Sequence, residues 1–166
     1  MISLLERAEN KWDVLEAIIA LREIGTEKAI PALKRAIYFP MSDVKCTSML
    51  TIAKIAGAIE TTFFASALED KKYPEKGYAL WALQEVGDVR GLDAVITFLT
   101  AALKRAPKAN PSGRFFRSVK FGLLYISRFN NSDVRVKAVL LPWKKFLLVF
   151  RESERKQLLT AIPEFH

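Results

Sequence analysis

Moving the sequence along itself by 31 residues lays apolar residues on apolar residues. Leu21 falls on Ile52 and then Leu83, Ile18 on Met49 and Leu80, and Ile24 on Ile55 and Val86. Gly25 falls on Ala56 and Gly87. Further along, Leu33 falls on Phe64 and Val95, and Ile37 on Leu68 and Leu99. Within a unit the apolar residues recur every three or four positions, the period of a helix and not the alternation of a strand. Each unit therefore reads as a helix, a turn of small residues and a second helix. A unit this short cannot bury its own apolar face, so the pattern demands a stack in which neighbours cover one another.

The spacing predicts helices over 11–24 and 30–38, 43–56 and 59–69, and 76–86 and 90–105, giving units at about 11–38, 43–69 and 76–105. Gly25 and Gly87 are expected to close the first helices of their units in the left-handed conformation. Pro31 suits the first turn of a second helix, where its missing N–H costs least. Ser42 or Asp43 is the expected cap of the next unit. The period breaks at Ala106-Pro-Lys-Ala-Asn-Pro-Ser-Gly-Arg114, an inserted loop over 106–114. A fourth unit follows at about 115–150. Its first helix, roughly 115–129, carries Phe121, Leu124, Tyr125 and Phe129. Its second carries a stripe from Val136 through Val139, Leu140, Trp143, Phe146 and Leu147 to Phe150, with Pro142 placed to kink or divide it. Residues 2–9 and 153–161 read as short capping helices, which an array needs to close its open ends. The expectation is one all-α domain over 1–166, with about four helix pairs.

Composition narrows the chemistry. One cysteine (Cys46) excludes an internal disulfide and a cysteine-built zinc cage. One histidine, His166, excludes sites built from several histidines, and no internal histidine exists for a Ser-His-Asp arrangement. No Gly-rich phosphate loop occurs. No catalytic residues, metal or cofactor are assigned. Neither a long apolar run nor a secretory signal is seen, which leads to the expectation of a soluble cytoplasmic protein with no membrane partner.

Two stretches carry a family resemblance. Ala20-Leu-Arg-Glu-Ile-Gly25 with Ala29-Ile-Pro-Ala-Leu33, and Ala82-Leu-Gln-Glu-Val-Gly87 with Asp88-Val-Arg90, resemble HEAT-like repeats of the short kind found in phycobilisome-lyase-type proteins. Asp133-Val-Arg135 echoes the Asp-x-Arg step in unit four, while unit two is degenerate. The resemblance implies a right-handed α-solenoid. It implies little about activity, because such chains include scaffolds, inhibitors and a few enzymes. Small stand-alone members resemble bacterial immunity or adaptor proteins.

Charge supplies the functional lead. The chain has a net charge of +8. Between Asp93 and Asp133 no acid occurs, yet Lys104, Arg105, Lys108, Arg114, Arg117, Lys120 and Arg128 all do. Such a one-signed cluster attracts an acidic partner. Arg114, Arg117 and Lys120 are spaced by three, so a helix aligns them on nearly one face. Lys144 and Lys145 extend the candidate surface from the last unit. The expected function is therefore a non-enzymatic protein-binding module, of adaptor or immunity type, holding an acidic protein on its basic C-terminal half. The alternative is nucleic acid, with phosphates on the cations and bases on the interleaved aromatics.

Other constellations point elsewhere. Trp81 and Glu85 lie four apart and so adjoin on one helix, an echo of HEAT-like alkylpurine DNA glycosylases. They occupy first-helix positions where the repeat expects outward residues, and in this architecture first helices usually form the convex side. Trp81 is thus expected under a loop or in a protein contact. Phe121, Tyr125 and at least one of Phe115 and Phe116 are expected in the core. Cys46 reads as a buried structural thiol, Trp12 as packing on the first cap, and Trp143 as core.

Overall fold

A computed structural model of the chain describes residues 10–110 and 113–166. The expected first cap (2–9) and residues 111 and 112 of the inserted loop lie outside the described residues. The first unit is α1 (Lys11–Ile24), a 3-10 turn (Glu27–Ala29) and α2 (Ile30–Ala36). The second is α3 (Ser42–Ala56), a 3-10 turn (Gly57–Glu60) and α4 (Thr61–Glu69). The third is α5 (Lys76–Val86), a 3-10 turn (Val89–Gly91) and α6 (Leu92–Arg105). After a short 3-10 turn (Ala106–Lys108), the fourth is α7 (Arg114–Ser127), α8 (Val134–Leu140) and a 3-10 run (Leu141–Val149). The chain closes with α9 (Glu152–Ala161). Among the described residues there is no strand, so the fold is an all-α helical repeat.

The stack is built by packing between units, which includes second helix on second helix, α4 on α6 and α6 on α8. First helices lie on first helices in chain order, α1 on α3, α3 on α5 and α5 on α7. Each second helix also packs on the first helix of the next unit: α2 on α3, α4 on α5, α6 on α7. The rows read from the 31-residue shift are the rows buried between units. Leu21, Ile52 and Leu83 are buried, as are Ile18, Met49 and Leu80, and Leu33, Phe64 and Val95. The row of Ile24, Ile55 and Val86 behaves differently: Ile24 is 67% exposed and the other two are half-buried. Ile24 is the last residue of α1, at the rim where the stacked faces end.

Polar contacts repeat between units as well. Lys54 pairs with Glu23 at 3.0 Å, Lys34 with Glu60 at 2.7 Å, and the Tyr38 hydroxyl donates to Asp70 at 2.7 Å. The Asp-x-Arg step has a specific mechanism. Asp88 accepts from the Arg90 backbone N–H at 3.0 Å, while the Arg90 guanidinium grips Asp88 and donates to the Ala58 carbonyl of the preceding unit at 2.6 Å. Asp133 and Arg135 repeat the clamp, and Arg135 reaches Asp93 of the preceding unit at 2.8 Å. The hydrogen bonds from Arg90 and Arg135 hold the Asp88 and Asp133 carboxyls below their ordinary range.

Several local expectations need correction. Gly25 and Gly87 are extended (φ −71° and −67°), and the glycine with positive φ is Gly57. Glycine is needed at position 87 for space: a Cβ there would lie 2.6 Å from the Leu83 carbonyl oxygen, which accepts the Gly87 N–H. Met41 is the N-cap residue of α3, with Ser42 and Asp43 already inside the helix. Trp12 is exposed, with the Lys11 ammonium 5.4 Å from its ring centre. Pro142 does divide the last stripe, since α8 stops at Leu140 and the chain continues as a 3-10 helix. Trp143 is fully buried and α9 occupies the expected second cap.

Leu83→Ala should lower unfolding free energy by about 2–5 kcal/mol in denaturant titration, because it opens a cavity between units. Gly87→Ala and Gly87→Asn should both cost about 1–3 kcal/mol, because both add a Cβ where there is no room. A left-handed Gly87 would instead show Asn outperforming Ala.

Candidate functional site

Small residues determine where the site opens. Gly77 on α5 faces Ser118 on α7 so closely that a Cβ on Gly77 would lie 2.5 Å from the Ser118 hydroxyl. Both lie within the first two turns of their helices. One turn further along, this approach brings Trp81 against Phe121, with parallel rings and centres 5.4 Å apart. Tyr78 adjoins Trp81 at 6.0 Å. The three rings form one wall of a cavity of about 580 Å³, and Phe98 and Phe115 add to its apolar lining.

Charge is distributed unevenly around the cavity. Arg105, from the end of α6, and Arg114 and Arg117, from the start of α7, all line it. The Arg105 guanidinium lies 5.6 Å from the Phe115 ring centre. The Arg114 side chain is 85% exposed and only 3.9 Å contact links it to Glu75. Arg117 is exposed and, among the described residues, has no ion-pair partner. Asp43 and Glu75 also line it, and Glu75 is the carboxylate that Arg114 approaches. Glu75 accepts from the Ser42 hydroxyl at 2.6 Å. Lys76 also lines the cavity, but its ammonium donates to the Ala67 and Asp70 carbonyls and so caps the end of α4. Cys46 lies in the lining and is buried. Burial pushes its thiol up, and Glu75 and Asp43 push it the same way, against hydrogen bonds with Ser42 and Tyr78.

The remaining basic residues have different surroundings. Lys104 and Lys108 are exposed outside the cavity lining. Lys120 is half-buried, with its ammonium 4.5 Å from the Phe121 ring centre. Burial, with Arg117 nearby, holds it below its ordinary value, while Glu154 pulls the other way. Arg128 donates to the Gln84 carbonyl at 2.9 Å and to the Gly87 carbonyl, so its guanidinium satisfies the end of α5. Lys144 donates to the His166 carbonyl at 2.9 Å, and Lys145 lies 5.2 Å from the Phe146 ring centre. Neither lines the cavity.

One aromatic expectation changes. Phe121 is half-buried rather than core, because its ring covers Trp81 at the cavity wall. Trp81 lines the cavity. Its indole N–H donates to Glu85 at 3.2 Å, and Glu85 is exposed outside the lining, so the acid of that pair does not face the enclosed space. Tyr125 and Phe116 are buried as expected, with Phe115 half-buried beside them. Tyr78, Phe98 and Glu75 were not legible as site residues. The available signal was a small residue in the first turns of two stacked first helices, Gly77 and Ser118.

Residues 14–38 match the family model described as PBS lyase HEAT-like repeat. The match runs from within α1 through the end of α2. Together with the repeated helix pairs, the match supports a helical repeat scaffold of the HEAT-like kind. No curated protein matches the chain. No helix among the described residues is long and apolar enough to cross a membrane.

Buried and held as a thiol, Cys46 should react with iodoacetamide at least roughly tenfold more slowly in the native protein than in urea at pH 7.5. Its native pH profile should have a midpoint above that of a free cysteine, as read by mass spectrometry of timed samples.

Proposed function

We propose that this protein is a binding scaffold that holds an acidic protein partner on the basic face formed by α6 and α7. The observation that carries this reading is the convergence of Arg105, Arg114 and Arg117 on one aromatic-walled cavity. Their own stretch of chain supplies no acid to neutralise them. Surface charges that only aid solubility are normally interspersed with the opposite sign. Guanidinium groups suit carboxylates because their planar donors can grip both oxygens at once. The outlying cations Lys104 and Lys108 add long-range attraction and raise the association rate more than they add to affinity. An adaptor or inhibitor role fits a rigid repeat array that presents one face to one partner.

Nucleic acid is the second reading, because bases can stack on rings such as Tyr78 beside cations that take phosphates. The two readings separate in one experiment. Wild-type protein and the variant Arg105→Glu/Arg114→Glu/Arg117→Glu are used as bait in host-cell lysate, with and without nuclease. These side chains are largely outside the core, so the variant should unfold within about 1–2 kcal/mol of wild type. The expected result is a protein retained by wild type after nuclease treatment, weakened by salt and lost by the variant. Retention by the variant would overturn the role of the basic face. Loss on nuclease treatment would transfer that role to nucleic acid.

A further inference from the structure

We infer that the cavity between α5, α6 and α7 is an anchor site for one aromatic side chain of an acidic peptide segment. This inference rests on the basic-face reading above and specifies what the partner must contain. Carboxylates alone would need only the exposed guanidinium groups, and they leave the cavity behind Arg114 and Arg117 unexplained. That space measures about 580 Å³, which lies in the size range of sites that enclose a small organic group. It is larger than a carboxylate requires and suits one ring with its adjoining backbone.

The lining selects a ring over an aliphatic group. Tyr78, Trp81, Phe98 and Phe115 come from three different helices and leave ring surface on the cavity. Trp81 and Phe121 already cover each other, so each has one face committed to the wall and the wall is held flat. An incoming ring can meet these walls edge-on or offset, which adds roughly two- to tenfold in affinity beyond the area it buries. The charges then orient the chain that carries the ring. Acidic neighbours of the anchor meet Arg105, Arg114 and Arg117. Asp43 and Glu75, which also line the cavity, repel carboxylates placed near them and can accept hydrogen bonds from the segment's N–H groups. The site is therefore complementary to an aromatic residue with acidic neighbours at the guanidinium groups, and the two carboxylates of its lining disfavour a uniformly acidic tail.

A phage-displayed library of random twelve-residue peptides, selected on the full chain, tests this directly. Selection runs in parallel on Arg114→Glu/Arg117→Glu, whose fold is checked by circular dichroism and melting. Wild type should enrich sequences with one aromatic residue among acids, and the variant should not. In a synthetic copy of a selected peptide, replacing the aromatic residue by alanine should weaken binding at least roughly tenfold. Trp81→Leu keeps apolar bulk and removes the flat ring. It should reduce affinity for the aromatic peptide while leaving the alanine peptide unchanged. Should Trp81→Leu unfold, Tyr78→Leu serves the same comparison. Enrichment of acidic peptides without an aromatic residue would overturn the anchor and leave the basic-face reading standing. Absence of acidic enrichment would overturn both. An oligothymidylate that displaces the selected peptides and binds more tightly than they do would overturn the anchor in favour of a nucleic-acid site.

Discussion

The structure depends on apolar surface that no single unit can hide. A second helix is covered by the helices of the next unit, as α2 is by α3, α4 by α5 and α6, and α6 by α7 and α8. Stability in such an array is largely a sum of neighbour interfaces, so each interface must be both apolar and correctly indexed. Indexing comes from the turns. Arg90 and Arg135 hold the cap aspartate of their own unit and a group of the unit before it. One side chain thereby fixes the start of a helix and the step to its neighbour. The apolar rows supply the attraction, and the clamps set the spacing.

The same constraint explains how much was legible. Rows such as Ile18, Met49 and Leu80 could be found because a fixed period forces equivalent residues into equivalent burial. Pro142 could be read as a break because, beyond the first turn, a proline denies the helix a hydrogen bond. The glycines were legible as necessary but not for the right reason. A sequence shows that a side chain is missing, and only the structure shows whether φ or space demanded it. Basic residues were the least legible. Arg114 and Arg128 look alike in sequence, yet Arg128 completes the end of α5 through the Gln84 and Gly87 carbonyls. Those carbonyls lie more than forty positions away, and nothing near Arg128 in the chain signals them.

The candidate cavity follows from a local departure in the stacking. Most first-helix contacts are filled by large apolar side chains, but Gly77 and Ser118 let α5 and α7 come close at one end. Close approach there brings Trp81 and Phe121 into a stack and leaves the cavity beside them. Helices starting at Ser42, Lys76 and Arg114 all contribute to the lining. Arg105, Arg114 and Arg117 bring positive charge to this lining, and Asp43 and Glu75 bring carboxylates to it.

The run from Leu141 to Val149 changes the pitch of the chain. A 3-10 helix rises about 2.0 Å per residue against about 1.5 Å for an α-helix, so a run of this length reaches roughly 4–5 Å further. Its side chains also return to the same edge every third residue instead of drifting around the axis. Leu140, Trp143, Phe146 and Val149 therefore form a straight edge, with Leu140 and Trp143 fully buried and the other two half-buried. Lengthened and straightened, the segment reaches the turn at Pro163–Phe165, where it packs. The final unit thus gains span without added residues, through a tighter winding of the same backbone.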